Sequence, residues 1–256
     1  MNQTWRYIPP LVASGEMQMA IDRYLLEQHR NQNHPPTIRF YTWQPAAISL
    51  GYHQQEYPRT WNDLTWQGEP LDIVRRPTGG RAVLHQGDLT YTVVMSIPPG
   101  KRLAVYKQIC EFLIAGWRSL GINLDYGTAT KEYIKHHNCF ATATGSDLVT
   151  AAGNKVIGSA QLRRQKVVLQ HGSMILNTDP ALYQQVFGIN LSQNLLAEIA
   201  PPQDRSTRSQ GNNSTDKIIL KLKKAAIATF KIDLVTQPLS GKEWQDIASD
   251  LSLLRY

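Results

Sequence analysis

An α+β fold, with a mixed or antiparallel β-sheet core flanked by helices, is what this sequence predicts, and three features predict it. Short apolar, strand-like runs come in pairs. Helical stretches separate the pairs without a repeating strand–helix–strand rhythm, which argues against a doubly wound parallel sheet. The 256 residues are enough to bury a full core, as one large or two small domains.

The first stretch, MNQTWRYIPP, reads as an irregular apolar segment; it lacks a basic region followed by an apolar core, so no signal peptide is expected. From Gly15 to Gln28, Met17, Ala20, Ile21, Tyr24 and Leu25 recur at helical spacing, with Ser14 as N-cap. A polar turn over 31–36 leads to two strands, Thr37 to Trp43 and Ala46 to Leu50, divided at Gln44-Pro45. Tyr52, His53 and Gln54 follow in a small loop, and Glu56 to Leu64 reads as a short helix.

The stretch from Asp72 to Ile97, DIVRRPTGGRAVLHQGDLTYTVVMSI, organises the chain. Two strand-like runs lie on either side of Arg75, Arg76, Gly79, Gly80, Arg81 and His85, and strand, turn, strand is the simplest reading. In the turn Pro77 to Gly80, glycine permits positive φ and close approach of a ligand, while the arginines supply charge-assisted donors. Such a loop suits a carboxylate, a phosphate or an acyl carbonyl.

Pro98-Pro99-Gly100 breaks the chain, and Arg102 to Leu120 forms a second amphipathic helix closed by Gly121. Cys110 lies in this helix with Ile109, Leu113, Ile114 and Trp117 at helical spacing, which makes it a small buried hydrophobe. The other cysteine, Cys139, sits in KEYIKHHNCFATATGSDL, an electropositive loop. A thiol beside Lys135, His136 and His137 can have its pKa lowered and act as a nucleophile. Two cysteines exclude a disulfide framework and a CxxC zinc site, and adjacent histidines suit a structural or pKa-tuning role better than a metal. No metal site is expected.

Asp147 to Thr150, Lys155 to Gln161 and Val167 to Leu176 read as strands, and Pro180 to Phe187, Lys217 to Thr229 and Lys242 to Leu253 as helices. Residues 201–216, PPQDRSTRSQGNNSTD, have no apolar anchor and read as a polar connector. Residues 1–200 are thus expected to form the main domain, with 217–256 packing helices back onto it.

Jointly, RRPTGGRAVLH, GNKVIGSAQ and LQHGSMIL resemble the lipoate- and biotin-protein ligase family, which includes the octanoyltransferases of lipoate assembly. SGEMQMAIDRYLLEQ is similar to that family's first helix, and RFYTWQPAAISLGYHQ to its first strand pair, so the resemblance covers Gly15 to Asn177. It implies a biotin/lipoate ligase catalytic-domain fold. It also implies that Lys155 contacts the acyl carbonyl or, in the cysteine-using transferases, lowers the pKa of the thiol of Cys139. Arg75, Arg76, Gly79, Gly80 and His85 then wall the substrate pocket, and Gly158, Ser159 and Ala160 let an acyl chain approach the backbone. His171, placed in a Gln170–Ser173 turn, has two readings: a partner of the carbonyl or incoming amine, or a tie between its turn and a neighbouring strand.

Three functional classes follow from the resemblance. One is an octanoyltransferase carrying the acyl group from acyl-carrier protein through Cys139 to a lysine of a lipoyl-domain protein, either glycine cleavage H protein or a dehydrogenase E2. The second is a lipoate-protein ligase, which alone would need ATP and Mg. The third is a non-catalytic relative that only binds lipoyl-domain proteins. A cysteine followed by the lysine, and Arg81 where ligases more often carry a third glycine, favour the first, with no cofactor. The formal charge of +7 suits acidic partners; its scatter and the lack of a nucleic-acid motif disfavour nucleic acid. No apolar run approaches the roughly 18 residues of a membrane span, and a cytoplasmic location is the default.

Overall fold

The structure, a computed structural model, describes residues 2–127, 147–192, 195, 198, 199 and 212–253. Its strands are β1 (Gln3–Ala13), β2 (Thr37–Trp43), β3 (Ala47–Leu50), β4 (Thr65–Trp66), β5 (Glu69–Pro70), β6 (Asp72–Arg75), β7 (Val83–His85), β8 (Asp88–Ser96), β9 (Asp125–Tyr126), β10 (Leu148–Val149), β11 (Lys155–Arg164), β12 (Val167–Ile175) and β13 (Ile232–Thr236). The helices are α1 (Gly15–Arg30), α2 (Arg102–Arg118), α3 (Pro180–Phe187), α4 (Asn212–Phe230) and α5 (Gly241–Leu253), with a 3-10 turn at Arg59–Asp63.

Eight strands form one sheet in the order β13-β1-β2-β8-β12-β11-β10-β9, in which β1 runs parallel to both its neighbours and the remaining pairs are antiparallel. This is the mixed sheet expected. Because side chains alternate along a strand, the two faces bury different helices. Val94 and Leu169, cross-strand partners, pack with Ile21 and Leu25 of α1 and Ile247 of α5. On the other face Tyr91 and Val93 join Ile109 and Phe112 of α2 and Leu222 of α4 in the main core. Among the described residues no helix is long and apolar enough to cross a membrane.

Local chemistry sets the ends of these helices. The Ser14 hydroxyl accepts from Met17 N at 3.4 Å at the start of α1, and Asp179 accepts from Leu182 N at 2.8 Å at the start of α3. α5 begins with a reciprocal cap: Ser240 Oγ accepts from Glu243 N, and Glu243 Oε2 accepts from Ser240 N. Glu243 also takes both arms of the buried Arg6 guanidinium at 2.6 and 3.0 Å, which ties α5 to β1.

Several elements differ from the sequence reading. The first segment is no irregular stretch but β1, interrupted by a register shift between Ile8 and Leu11 where Pro9-Pro10 cannot donate to a ladder. The Asp72–Ile97 unit is not a hairpin: β6 and β7 both pair with β3, β6 parallel and β7 antiparallel, in a three-stranded sheet of order β6-β3-β7. β2 and β3 likewise enter different sheets. Residues Gln170 to Ser173 form no turn; they lie inside β12, paired on both sides. The helix expected from Lys217 starts at Asn212, inside the expected connector, and β13 is a further strand between the last two helices.

Candidate active site

The pocket lies where the three-stranded sheet covers the α1 face of the eight-stranded one. Two cross-strand rows make its floor. In one, Arg39 pairs with Thr92, Thr92 with His171, and His171 with Ala160; in the next, Tyr41 pairs with Thr90, Thr90 with Ser173, and Ser173 with Gly158. Both rows end on small residues, which leaves room above β11. Ser49, Val83 and His85 form the opposing wall, with Met19, Trp43, Arg76, Gly80 and Lys155 at its margins. The space between floor and wall is partly open to solvent.

Each row carries a buried carboxylate. Asp22, from the buried face of α1, accepts from Arg39 Nε at 3.0 Å and Nη2 at 2.6 Å, from Thr92 Oγ1 at 2.9 Å and from His171 Nδ1 at 2.8 Å. Burial alone would raise its pKa, but Arg39 and His171 hold it down at about 2, so the group is anionic. Asp22 therefore accepts a hydrogen bond from His171 Nδ1–H, and Nε2 is left to accept from Thr78 Oγ1 at 2.6 Å. Burial lowers the pKa of His171, with Asp22 opposing, which favours the neutral ring.

Asp88 plays the same part in the second row. Its Oδ2 accepts from Thr90 Oγ1 at 3.0 Å, Ser173 Oγ at 2.7 Å and His85 Nδ1 at 2.9 Å. His85 Nε2 meets Ser49 Oγ at 2.8 Å, and the ring is stacked on Trp43 with centroids 3.8 Å apart. Two carboxylate–imidazole–hydroxyl chains thus join the floor to the strands and loop above it.

The arginine loop is held largely by its own backbone. Arg76, 5% exposed, donates to the carbonyls of Ser49, Gly79 and Arg81 at 2.8, 2.8 and 2.7 Å, and to Ser49 Oγ at 3.2 Å. Gly80 has φ of 96°, and a Cβ on Gly51 would lie 1.8 Å from its carbonyl oxygen, so both positions require glycine. Arg75 points elsewhere, donating to the carbonyls of Gly51 and Gln54.

At the β11 end, Lys155 Nζ pairs with Asp147 Oδ1 at 2.9 Å, both side chains being buried. Ser159 Oγ accepts from Tyr91 OH at 2.8 Å, and its carbonyl accepts from Tyr106 OH of α2 at 3.0 Å. Gly172 lies opposite Ser159, where a Cβ would sit 2.4 Å from Ser159 Oγ. Cys110 contacts Gln170 Nε2 at 3.2 Å on the α2 face, and burial pushes its thiol up to about 12, an unreactive state.

Of the residues singled out from sequence, Arg76, Gly80, His85, Lys155, Gly158, Ser159, Ala160 and His171 meet in this one pocket. Arg75 and Gly79 are outside its lining, and Cys139 lies outside the described residues. Sequence reasoning missed Asp22, Ser49, Thr78, Asp88 and Asp147. One signal existed: Gln18 and Asp22 stand four apart on the apolar stripe of α1, where a polar residue needs a partner.

Residues 14–240 match the family model described as the lipoyl protein ligase A/B catalytic domain, so the chain belongs to that family. It is 40% identical over 188 residues to octanoyltransferase LipM of Brevibacillus brevis, covering 69% of this chain and 67% of the relative. Against octanoyltransferase LipM of Bacillus subtilis it is 39% identical over 189 residues, covering 70% and 67%. The chain thus spans about two-thirds of the length of these relatives, and its similarity to them over most of its own length makes it an acyltransferase. Two solved structures share the fold: lipoate-protein ligase A bound with ATP (TM-score 0.71, 20% identity, 98% of this chain and 95% of that one) and a bi-partite lipoate protein ligase from Thermoplasma acidophilum (TM-score 0.69, 19% identity, 98% and 93%).

Proposed function

We propose that the protein is an octanoyltransferase of lipoate assembly that takes an octanoyl group from acyl-carrier protein onto Cys139 as a thioester and passes it to a lysine of a lipoyl-domain protein. The observation that carries this reading is the 36–40% identity to octanoyltransferases over about 70% of the chain. The pocket supports it. Met19, Trp43, Val83 and Ala160 offer apolar wall to an acyl chain, while the Lys155 ammonium, fixed by Asp147, is suited to a developing oxyanion or thiolate. The acceptor, by this reading, is glycine cleavage H protein or a dehydrogenase E2, and the reaction takes place in the cytoplasm without ATP or a metal.

The test is transfer from octanoyl-acyl-carrier protein to a purified lipoyl domain with and without ATP and Mg. Equal transfer in both supports the reading. Strict ATP dependence with free octanoate or lipoate replaces it with a ligase, and binding without transfer replaces it with a non-catalytic role.

A further inference from the structure

Transfer to an amine requires a proton acceptor. A lysine side chain arrives as an ammonium ion and must lose one proton before its nitrogen can attack. Lys155 Nζ is already engaged by the Asp147 carboxylate at 2.9 Å. Two imidazoles line the pocket, and imidazole is the side chain that exchanges protons near neutral pH.

The two are not equivalent. Both nitrogens of His171 are engaged, Nδ1 by Asp22 and Nε2 by the Thr78 hydroxyl, and Thr78, as buried as Ser49, does not line the pocket. His85 is also oriented by a buried carboxylate, Asp88, and by its stack on Trp43. Its Nε2, however, meets the hydroxyl of Ser49, and Ser49 is pocket wall. Ser49 Oγ lies between Arg76 Nη1 at 3.2 Å and His85 Nε2 at 2.8 Å. Arg76 can only donate, so the Ser49 proton points to His85 and one of the two Ser49 lone pairs is not taken by Arg76.

We propose that Ser49, His85 and Asp88 form the proton route for the amine half-reaction, an inference that rests on the acyl-transfer reading above. The acceptor ammonium gives one proton to Ser49 Oγ while the Ser49 proton moves to His85 Nε2, and Asp88 holds Nδ1–H against the resulting imidazolium. The neutral nitrogen then bonds to the acyl carbon, the carbon–sulfur bond breaks, and the second nitrogen proton goes to the departing thiolate. His85 returns its proton to solvent. Ser49 touches the substrate; His85 and Asp88 act through it. The groups facing His85 are Asp88 of β8, Ser49 of β3, Arg76 through Ser49, and His171, which is coupled to it across the pocket.

The experiment compares two acceptors in the full-length protein charged from octanoyl-acyl-carrier protein: a lipoyl-domain lysine, and hydroxylamine, which is already unprotonated at neutral pH. His85→Asn should lower the ratio of lysine to hydroxylamine transfer by about 10²-fold at pH 7, the typical size of a general-base contribution. Raising the pH should progressively restore lysine transfer in the variant, because the amine then deprotonates in solution. Ser49→Ala should give the same ratio change and serves if His85→Asn fails to fold. A merely structural role lowers both rates together; an unchanged ratio in both variants overturns the proton route. A ratio that falls only in His171→Asn overturns it in favour of His171. Failure of the wild-type protein to form any octanoyl product overturns the acyl-transfer reading itself, and the route with it.

Discussion

Replacing Asp22 by asparagine keeps the shape of a buried group with four hydrogen-bonding neighbours and removes only its charge. Arg39, 1% exposed, would then face an amide in place of a carboxylate, with Thr92 and His171 also losing an anionic acceptor. Removing one partner of a buried ion pair costs about 3–5 kcal/mol. For a chain of this size that corresponds to a fall in Tm of about 6–20 °C. The effect also has a pH signature. The Asp22 carboxyl is held at about 2 against an ordinary 3.8, so its stabilisation is fully present above pH 4 and is lost as the pH falls toward 2. At about 1.4 kcal/mol per pH unit, about 1–2 kcal/mol of the difference between wild type and variant should vanish between pH 6 and pH 2.5. Urea unfolding followed by far-UV circular dichroism at pH 6, 4 and 2.5 measures it. A difference below about 1 kcal/mol at pH 6, or one that does not shrink on acidification, would refute the role given to Asp22.

Arg76→Lys keeps the charge but cannot span the three loop carbonyls and Ser49 Oγ; kcat/KM should fall at least about tenfold and the melting temperature should drop as buried carbonyls lose their donor, and equal activity would show that the fork is dispensable. Gly172→Ala places a Cβ 2.4 Å from Ser159 Oγ and 2.7 Å from the Gly158 carbonyl oxygen, so it should cost about 1–3 kcal/mol in urea unfolding and reduce acyl transfer. Glu243→Gln, which disturbs the Arg6 clamp, should destabilise at pH 7 and progressively less below about pH 4.5, since Arg6 and the Ser240 cap hold the Glu243 carboxyl down at about 2 despite burial; a pH-independent loss would contradict this.

What could be read from the sequence was local. Helix α1 announces itself through its apolar spacing and Ser14, and Gly80 through the dipeptide it shares with Gly79, because caps and turns depend on near neighbours. Lys155, Ser159 and His171 were readable through motif resemblance, and the antiparallel register of β11 and β12 brings Ala160 opposite His171. Pairing over long separations was not readable. Whether β6 meets β7 or β3 is decided by how β3 inserts between them, and apolar content alone is equal for both. The same holds for Ser49, which sits in an apolar run and acquires a role only when β7 lies beside it. Asp147 was read as part of a strand, since its partner Lys155 lies across a turn that reverses the chain. β1 is hidden by Pro9-Pro10, whose effect is confined to a register shift in a strand that pairs with β13 over Gln3–Tyr7 and with β2 on either side of the prolines.

The central claim is that the acyl group rests on one thiol between donor and acceptor. Intact-mass spectrometry of the protein mixed with octanoyl-acyl-carrier protein tests it without any acceptor present. The account predicts a single octanoyl adduct that forms without ATP, disappears in Cys139→Ala and persists in Cys110→Ser, whose buried thiol is held up to about 12. An adduct that survives in Cys139→Ala, or product that forms only with ATP and through no octanoyl-enzyme, would contradict it.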